Sequence, residues 1–187
     1  MSAVPVAQRM TAEEFLALPD TDDLRFAQLI EGELIVDPPR PLHQMVAGEL
    51  IYRLMSWSRS GEGRGTVWHQ LGIKLDERNV FQPDVLWYRE DAGPDVYSRP
   101  PSPVPQLAIE VRSPSTWRYD IGAKKAAYER EGLRELWLVD TDAKVVLIFR
   151  RSAGEAPSFD VALEVDDILT SPQLEGFELA LSELFPE

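Results

Sequence analysis

Two acidic residues stand where a carboxylate is costly. Glu110 lies inside the apolar run LAIEV, Leu107–Val111, and Asp84 follows Pro83 at the head of DVLWY. An unpaired charge in an apolar strand costs several kcal/mol, so Glu110 needs a cation, a hydrogen-bond donor, a metal ion or a proton. Downstream, Asp120, Lys124 and Tyr128 follow at four-residue steps, which puts them on one face of a helix. Hard divalent cations take carboxylate oxygens, and Mg²⁺ needs only one or two from the protein. If the two strands are neighbours, Asp84 and Glu110 suffice. A lysine beside them supplies positive charge for a phosphate or orients a water, which is what phosphodiester hydrolysis requires. Each residue also has a plainer reading. Asp84 can be a turn carboxylate after proline, and Glu110 can be half of a buried ion pair with Arg112 or Lys124. Asp120 and Lys124 can form an exposed i,i+4 pair, and Tyr128 and Trp137 can simply pack.

The elements that must position these residues follow from periodicity and punctuation. Thr11 with Glu14 forms a capping box for a short helix ending near Leu18. LIEGELIV reads as two extended pieces around Gly32. Leu42, Met45, Val46, Leu50, Leu54 and Trp57 keep a helical period, which Gly61, Gly63 and Gly65 terminate. TVWHQLGIKL and FQPDVLWY read as one strand each, with DERN as the turn between them. The segment from Gly93 to Pro105 holds five prolines and must be a loop. LAIEV, ELWLVD and VVLIF are strands, and a helix from Trp117 to Glu131 joins the first two as a right-handed crossover. All the extended runs are expected in one sheet. Residues 1–10 are expected to be a flexible N-terminus and 11–187 a single domain, as the length of 187 residues suggests.

Composition narrows the chemistry. There is no cysteine, which excludes disulfides and thiolate metal sites and fits a reducing, cytoplasmic setting. No stretch approaches the roughly 18 apolar residues of a membrane span, and the first residues lack a signal-peptide core. The net charge of −13 argues against coating nucleic acid by bulk electrostatics. The charge is uneven, however. From Ser152 onward there are acids from Glu155 to Glu187 and no Lys or Arg, whereas Arg112, Arg118, Lys124, Lys125, Arg130 and Arg134 make the middle locally basic. That basic segment is expected on the side of the carboxylate pair and the acidic tail away from it, with Arg118, Lys125 and Arg130 as candidate phosphate contacts.

QPDV, AIEVRSPST, the series Asp120, Lys124, Tyr128 and Gly132, and then ELWLVD closely resemble the Uma-two family of putative restriction endonucleases, within the PD-(D/E)xK nuclease superfamily. The resemblance runs from TAEEFLALP through LIEGEL and the helix with His43 to LTSPQLEGFELALSELF. It implies an α/β restriction-endonuclease-like core, a mixed central β-sheet flanked by helices. It also implies a DNA endonuclease in which Asp84, Glu110 and the Val111 backbone carbonyl bind Mg²⁺ or Mn²⁺, with catalysis by Asp84, Glu110 and Lys124. The lysine that elsewhere stands two residues after the glutamate has moved to the next helix as Lys124. Gln28, His43, Arg112, Asp120 and Tyr128 are supporting candidates, and a homodimer is compatible with such a nuclease. Two positions depart from the pattern. Gln28 stands where the family usually has glutamate, and Arg112 stands where nucleases place lysine or this family an apolar residue. Arg112 stays protonated and is a poor base, but it can grip phosphate or pair with Glu110 or Asp120. A scaffold that binds without cutting is the second reading.

Overall fold

Thr11 caps α1, Ala12–Leu16, with both reciprocal bonds of a capping box present. The computed structural model describes residues 9–151 and 159–186. The expected flexible arm lies almost wholly outside them, as do Glu155 and Glu187 of the acidic tail. After a 3₁₀ turn at Asp22–Leu24, β1 (Ala27–Ile30) and β2 (Glu33–Val36) form a hairpin. Its turn places Glu31 and Gly32 at positive φ. The long helix α2 spans Pro41–Arg59, with proline at its start where no donor is lost. His43, Val46, Leu50, Leu54 and Trp57 are its buried face.

The next stretches correct the one-sheet expectation. TVWHQLGIKL divides into β3 (Thr66–His69) and β4 (Ile73–Asp76), and FQPDVLWY into β5 (Asn79–Phe81) and β6 (Val85–Tyr88). The first break falls at Gln70, which has φ 49°, and the second at Pro83, which has no amide to donate. Each half then joins a different sheet. β4 and β5 complete a four-stranded sheet in the order β2-β1-β5-β4. β3 and β6 join a six-stranded sheet with β7 (Leu107–Val111), β8 (Glu135–Asp140), β9 (Val145–Arg150) and β10 (Phe159–Leu163), in the order β10-β9-β8-β7-β6-β3.

Only β7 and β8 run parallel in this larger sheet, so it is mixed, as the resemblance implies. A third pairing, β11 (Ile168–Thr170) with β12 (Glu178–Ala180), precedes a 3₁₀ turn at Leu181–Glu183. β7 is buried at every position, which marks the middle of a sheet covered on both faces. One face packs on α2 and on Leu169, Phe177, Leu181 and Phe185 from the C-terminal segment. The other packs on Ile73, Phe81, Tyr128 and Leu133.

The crossover from β7 to β8 is not one regular helix. It consists of α3 (Trp117–Tyr119), a π-helical turn at Asp120–Lys124 and α4 (Lys125–Arg130). Residues four apart on an α-helix drift by about 40° around its axis. Across this π turn Asp120 and Lys124 lie one turn apart on the buried side and meet at 3.0 Å. Such turns recur at functional sites.

Candidate active site

Because the chain changes sheets at Pro83, Asp84 stands at the seam between the two sheets, just before β6. β6 pairs with β7 in the register Val85 with Ile109, which brings Asp84 beside the end of β7. There its Oδ2 accepts the Val111 backbone N–H at 2.7 Å and meets His43 Nε2 at 3.0 Å. His43 comes from the first turn of α2, and Asp84 raises its pKa against the opposing effect of burial. Its other ring nitrogen, Nδ1, is buried with no hydrogen-bond partner among the described residues.

Glu110 is held from the crossover. Tyr128 Oη donates to its Oε1 at 2.6 Å, and Lys124 Nζ lies 2.7 Å from the same oxygen. Lys124 Nζ also reaches Asp120 Oδ1 at 3.0 Å and sits 5.5 Å from the centre of the Phe81 ring. Lys124 is only 2% exposed. Burial disfavours its charge, but Asp120 and Glu110 more than compensate and hold it as an ammonium. Burial pushes the Glu110 carboxyl up to about 8 although Lys124 pulls it down. Asp120 is raised for the same reason, again against Lys124. Burial and the neighbouring Glu110 keep Tyr128 protonated, hence a donor.

These groups surround a cavity of about 40 Å³ whose wall also includes Gln28, Gln82, Ser113 and Thr116. That is room for an ion or a water or two. Three carboxyl groups, of Asp84, Glu110 and Asp120, thus stand around one ammonium, and burial, with the neighbouring acids, raises the proton affinity of Glu110 and Asp120. The contacts that hold Asp84 fall on Oδ2 and those that hold Glu110 on Oε1, so Oδ1 and Oε2 remain as donors. Among the described residues no three His, Cys, Asp or Glu side chains gather tightly enough to hold an ion alone. The donor set therefore suits a hard cation that keeps most of its water, which is the habit of Mg²⁺.

The sequence-predicted residues divide cleanly. Asp84, Glu110, Asp120, Lys124, Tyr128, His43 and the Val111 backbone come together here. Gln28 lines the cavity too, with its amide oxygen accepting the Gln82 N–H at 3.1 Å. The basic residues do not gather as expected. Arg112 pairs with Asp140 at 2.7 Å and Asp142 at 3.0 Å, not with Glu110 or Asp120. Lys125 pairs with Glu129 over the Phe149 ring, Arg130 with Asp76 and Glu131, and Arg118 with its neighbour Tyr119. Arg112, Lys125 and Arg130 are thus balanced by nearby carboxylates, whereas Arg118 donates to a neutral hydroxyl. Two contributors were missed. Asp37, after β2, accepts from Ser115 at 2.6 Å and from Thr116 at 3.3 Å, tying the hairpin to the loop after Glu110. Gln82 lies beside the proline that breaks the strand and opens the QPDV motif, its one sequence signal; Asp37 had none.

Among solved structures, the fold is similar to that of a putative nuclease belonging to DUF820 from Anabaena variabilis. The match has a TM-score of 0.76 and 21% identity, and it covers 94% of this chain and 97% of that one. No curated protein matches the sequence. A family model described as a putative restriction endonuclease matches residues 12–182. With that match over most of its length, the chain belongs to the Uma2 family of putative restriction endonucleases.

Proposed function

We propose that the protein is a divalent-metal-dependent DNA endonuclease that hydrolyses phosphodiester bonds at the cavity between its two larger sheets. One observation carries this reading: two carboxylates from adjacent strands face one small cavity with a fully buried lysine ammonium 2.7 Å from one of them. Asp84, Glu110 and the Val111 carbonyl would hold Mg²⁺ or Mn²⁺, which supplies a Lewis acid for the phosphoryl oxygens and a more acidic water. The chain's own groups do the rest. The Val111 N–H and His43 orient Asp84, and Tyr128 and Lys124 orient Glu110. Lys124 Nζ provides positive charge where the phosphate becomes more negative and can orient the attacking water. Asp120 and Glu110 keep that lysine charged despite its burial.

The test is conversion of supercoiled plasmid to nicked or linear DNA with Mg²⁺ or Mn²⁺, repeated with chelator and with Asp84→Asn. Cleavage that needs the metal and is lost in the variant supports the reading. Cleavage unchanged by either would overturn it. A non-cutting scaffold is the second reading, favoured by the amide of Gln28 in place of a carboxylate. On that reading the wild type binds metal yet leaves DNA and RNA intact.

A further inference from the structure

A second concavity of about 750 Å³ lies at the opposite end of the same strands. Arg89 follows the end of β6 whose beginning carries Asp84, a span of five residues or about 17 Å. Gln106 precedes β7, whose far end carries Glu110 and Val111 of the catalytic cavity, and Arg134 precedes β8, which runs parallel to it. The cleft is bordered by the turns Gly61–Gly65 and Gln173–Gly176 and floored by Trp57 and Trp87. The first turn is closely fitted. Gly65 has φ +72°, and a Cβ there would stand 2.0 Å from the Tyr88 carbonyl, so only glycine lets the turn lie on the end of β6. Arg64, in that turn, is fixed by the Trp57 carbonyl at 3.0 Å and Ser60 Oγ at 2.6 Å, with its guanidinium 5.2 Å from the Trp57 ring centre.

Three arginines, Arg64, Arg89 and Arg134, thus line one cleft, and among the described residues none of them pairs with a carboxylate. Elsewhere Arg53, Arg112, Arg130 and Arg151 each pair with two acids; what sets Arg64, Arg89 and Arg134 apart is that all three line a single concavity. Glu62 and Glu175 also border the cleft, leaving one positive charge in excess. Guanidinium is a planar two-donor fork that matches carboxylate or phosphate. A carboxylate has two oxygens and cannot satisfy three forks, whereas a phosphate group has three terminal oxygens.

We propose that this cleft binds a small phosphate-bearing molecule of nucleotide size, at a site separate from the catalytic cavity. The volume falls within the range of small-molecule sites, and the tryptophan floor offers an apolar surface to the rest of the ligand.

The test is calorimetric titration of the full chain in chelator with ADP and with inorganic pyrophosphate as probes, and adenosine as the uncharged control. Saturable binding of either phosphate probe, weakened roughly tenfold or more by Arg89→Ala or Arg134→Ala, is the expected result. Glu110→Gln should leave that binding unchanged. Both arginines are exposed, and unfolding curves of the variants verify that they fold. No binding of either probe at millimolar concentration, binding indifferent to both arginine substitutions, or binding lost in Glu110→Gln would overturn the proposal.

Discussion

Replacing Lys124 by methionine keeps most of the apolar body of the side chain and removes the ammonium that contacts Glu110 and Asp120. Among the described residues Lys124 is the sole cation within ion-pair distance of Asp120 and Glu110, His43 pairing with Asp84 instead. Without it, the Asp120 carboxylate must either remain charged in a dry site or take up a proton. Breaking a buried pair in this way costs about 3–5 kcal/mol. Protonating a carboxyl of ordinary value 3.8 costs about 2 kcal/mol at pH 5 and about 6 at pH 8. The cheaper route governs, so the variant should lose about 2 kcal/mol at pH 5 and about 3–5 at pH 8. The sign follows from linkage. An acid whose folded pKa is raised stabilises the fold below its unfolded value, and that stability is lost as pH rises through the folded value. Glu110 gives the wild type such a slope already, from about 4.5 to about 8, and Lys124→Met should steepen it. Urea unfolding of metal-free protein at the two pH values measures the difference. Lys125→Met, which removes a surface pair with Glu129 and a cation over the Phe149 ring, should cost at most about 1 kcal/mol, equally at both pH values. A Lys124→Met chain that tracks the wild type at both pH values would refute the assignment of Lys124 as the neutralising charge.

Tyr128→Phe removes the hydroxyl donor 2.6 Å from buried Glu110 Oε1 and should cost about 1–3 kcal/mol in the same unfolding assay; no change would mean that the bond contributes nothing. His43→Ala frees Asp84 Oδ2 and should weaken divalent-metal affinity about 10–100-fold by calorimetry, as loss of a ligand-orienting partner does elsewhere. Metal affinity should rise about tenfold per pH unit up to about 8, because Glu110 must lose its proton to solvent before it can hold the ion, and Glu110→Gln should abolish that dependence. An affinity flat between pH 6 and 8 would contradict the raised carboxyl.

The residues around the cavity were legible because each broke a local rule. Glu110 interrupts an apolar strand, Asp84 follows a proline, and Asp120, Lys124 and Tyr128 repeat at a helical step. What the sequence could not convey depends on distant partners. Gln70 and Pro83 were visible as irregularities, but that each break sends the chain into a second sheet depends on β1 and β7 lying where they do. The π turn at Asp120–Lys124 has no periodicity signal of its own in five residues. Arg112 was misassigned for a similar reason. The parallel register that sets Val111 beside Val139 places Arg112 next to Asp140, a neighbour 28 residues away. The C-terminal hairpin β11–β12 was covered by the resemblance but not assigned as strands, because three residues each with one buried leucine, Leu169 and Leu179, give too short an alternation.

The account stands or falls on whether Asp84 and Glu110 share one ion. Crystals soaked in Mn²⁺ at pH 8 give that answer through anomalous scattering. A single strong peak is predicted about 2 Å from an oxygen of each carboxylate, with Lys124 alongside and the peak absent in Asp84→Asn. Anomalous density elsewhere on the protein but none between these two carboxylates would contradict it.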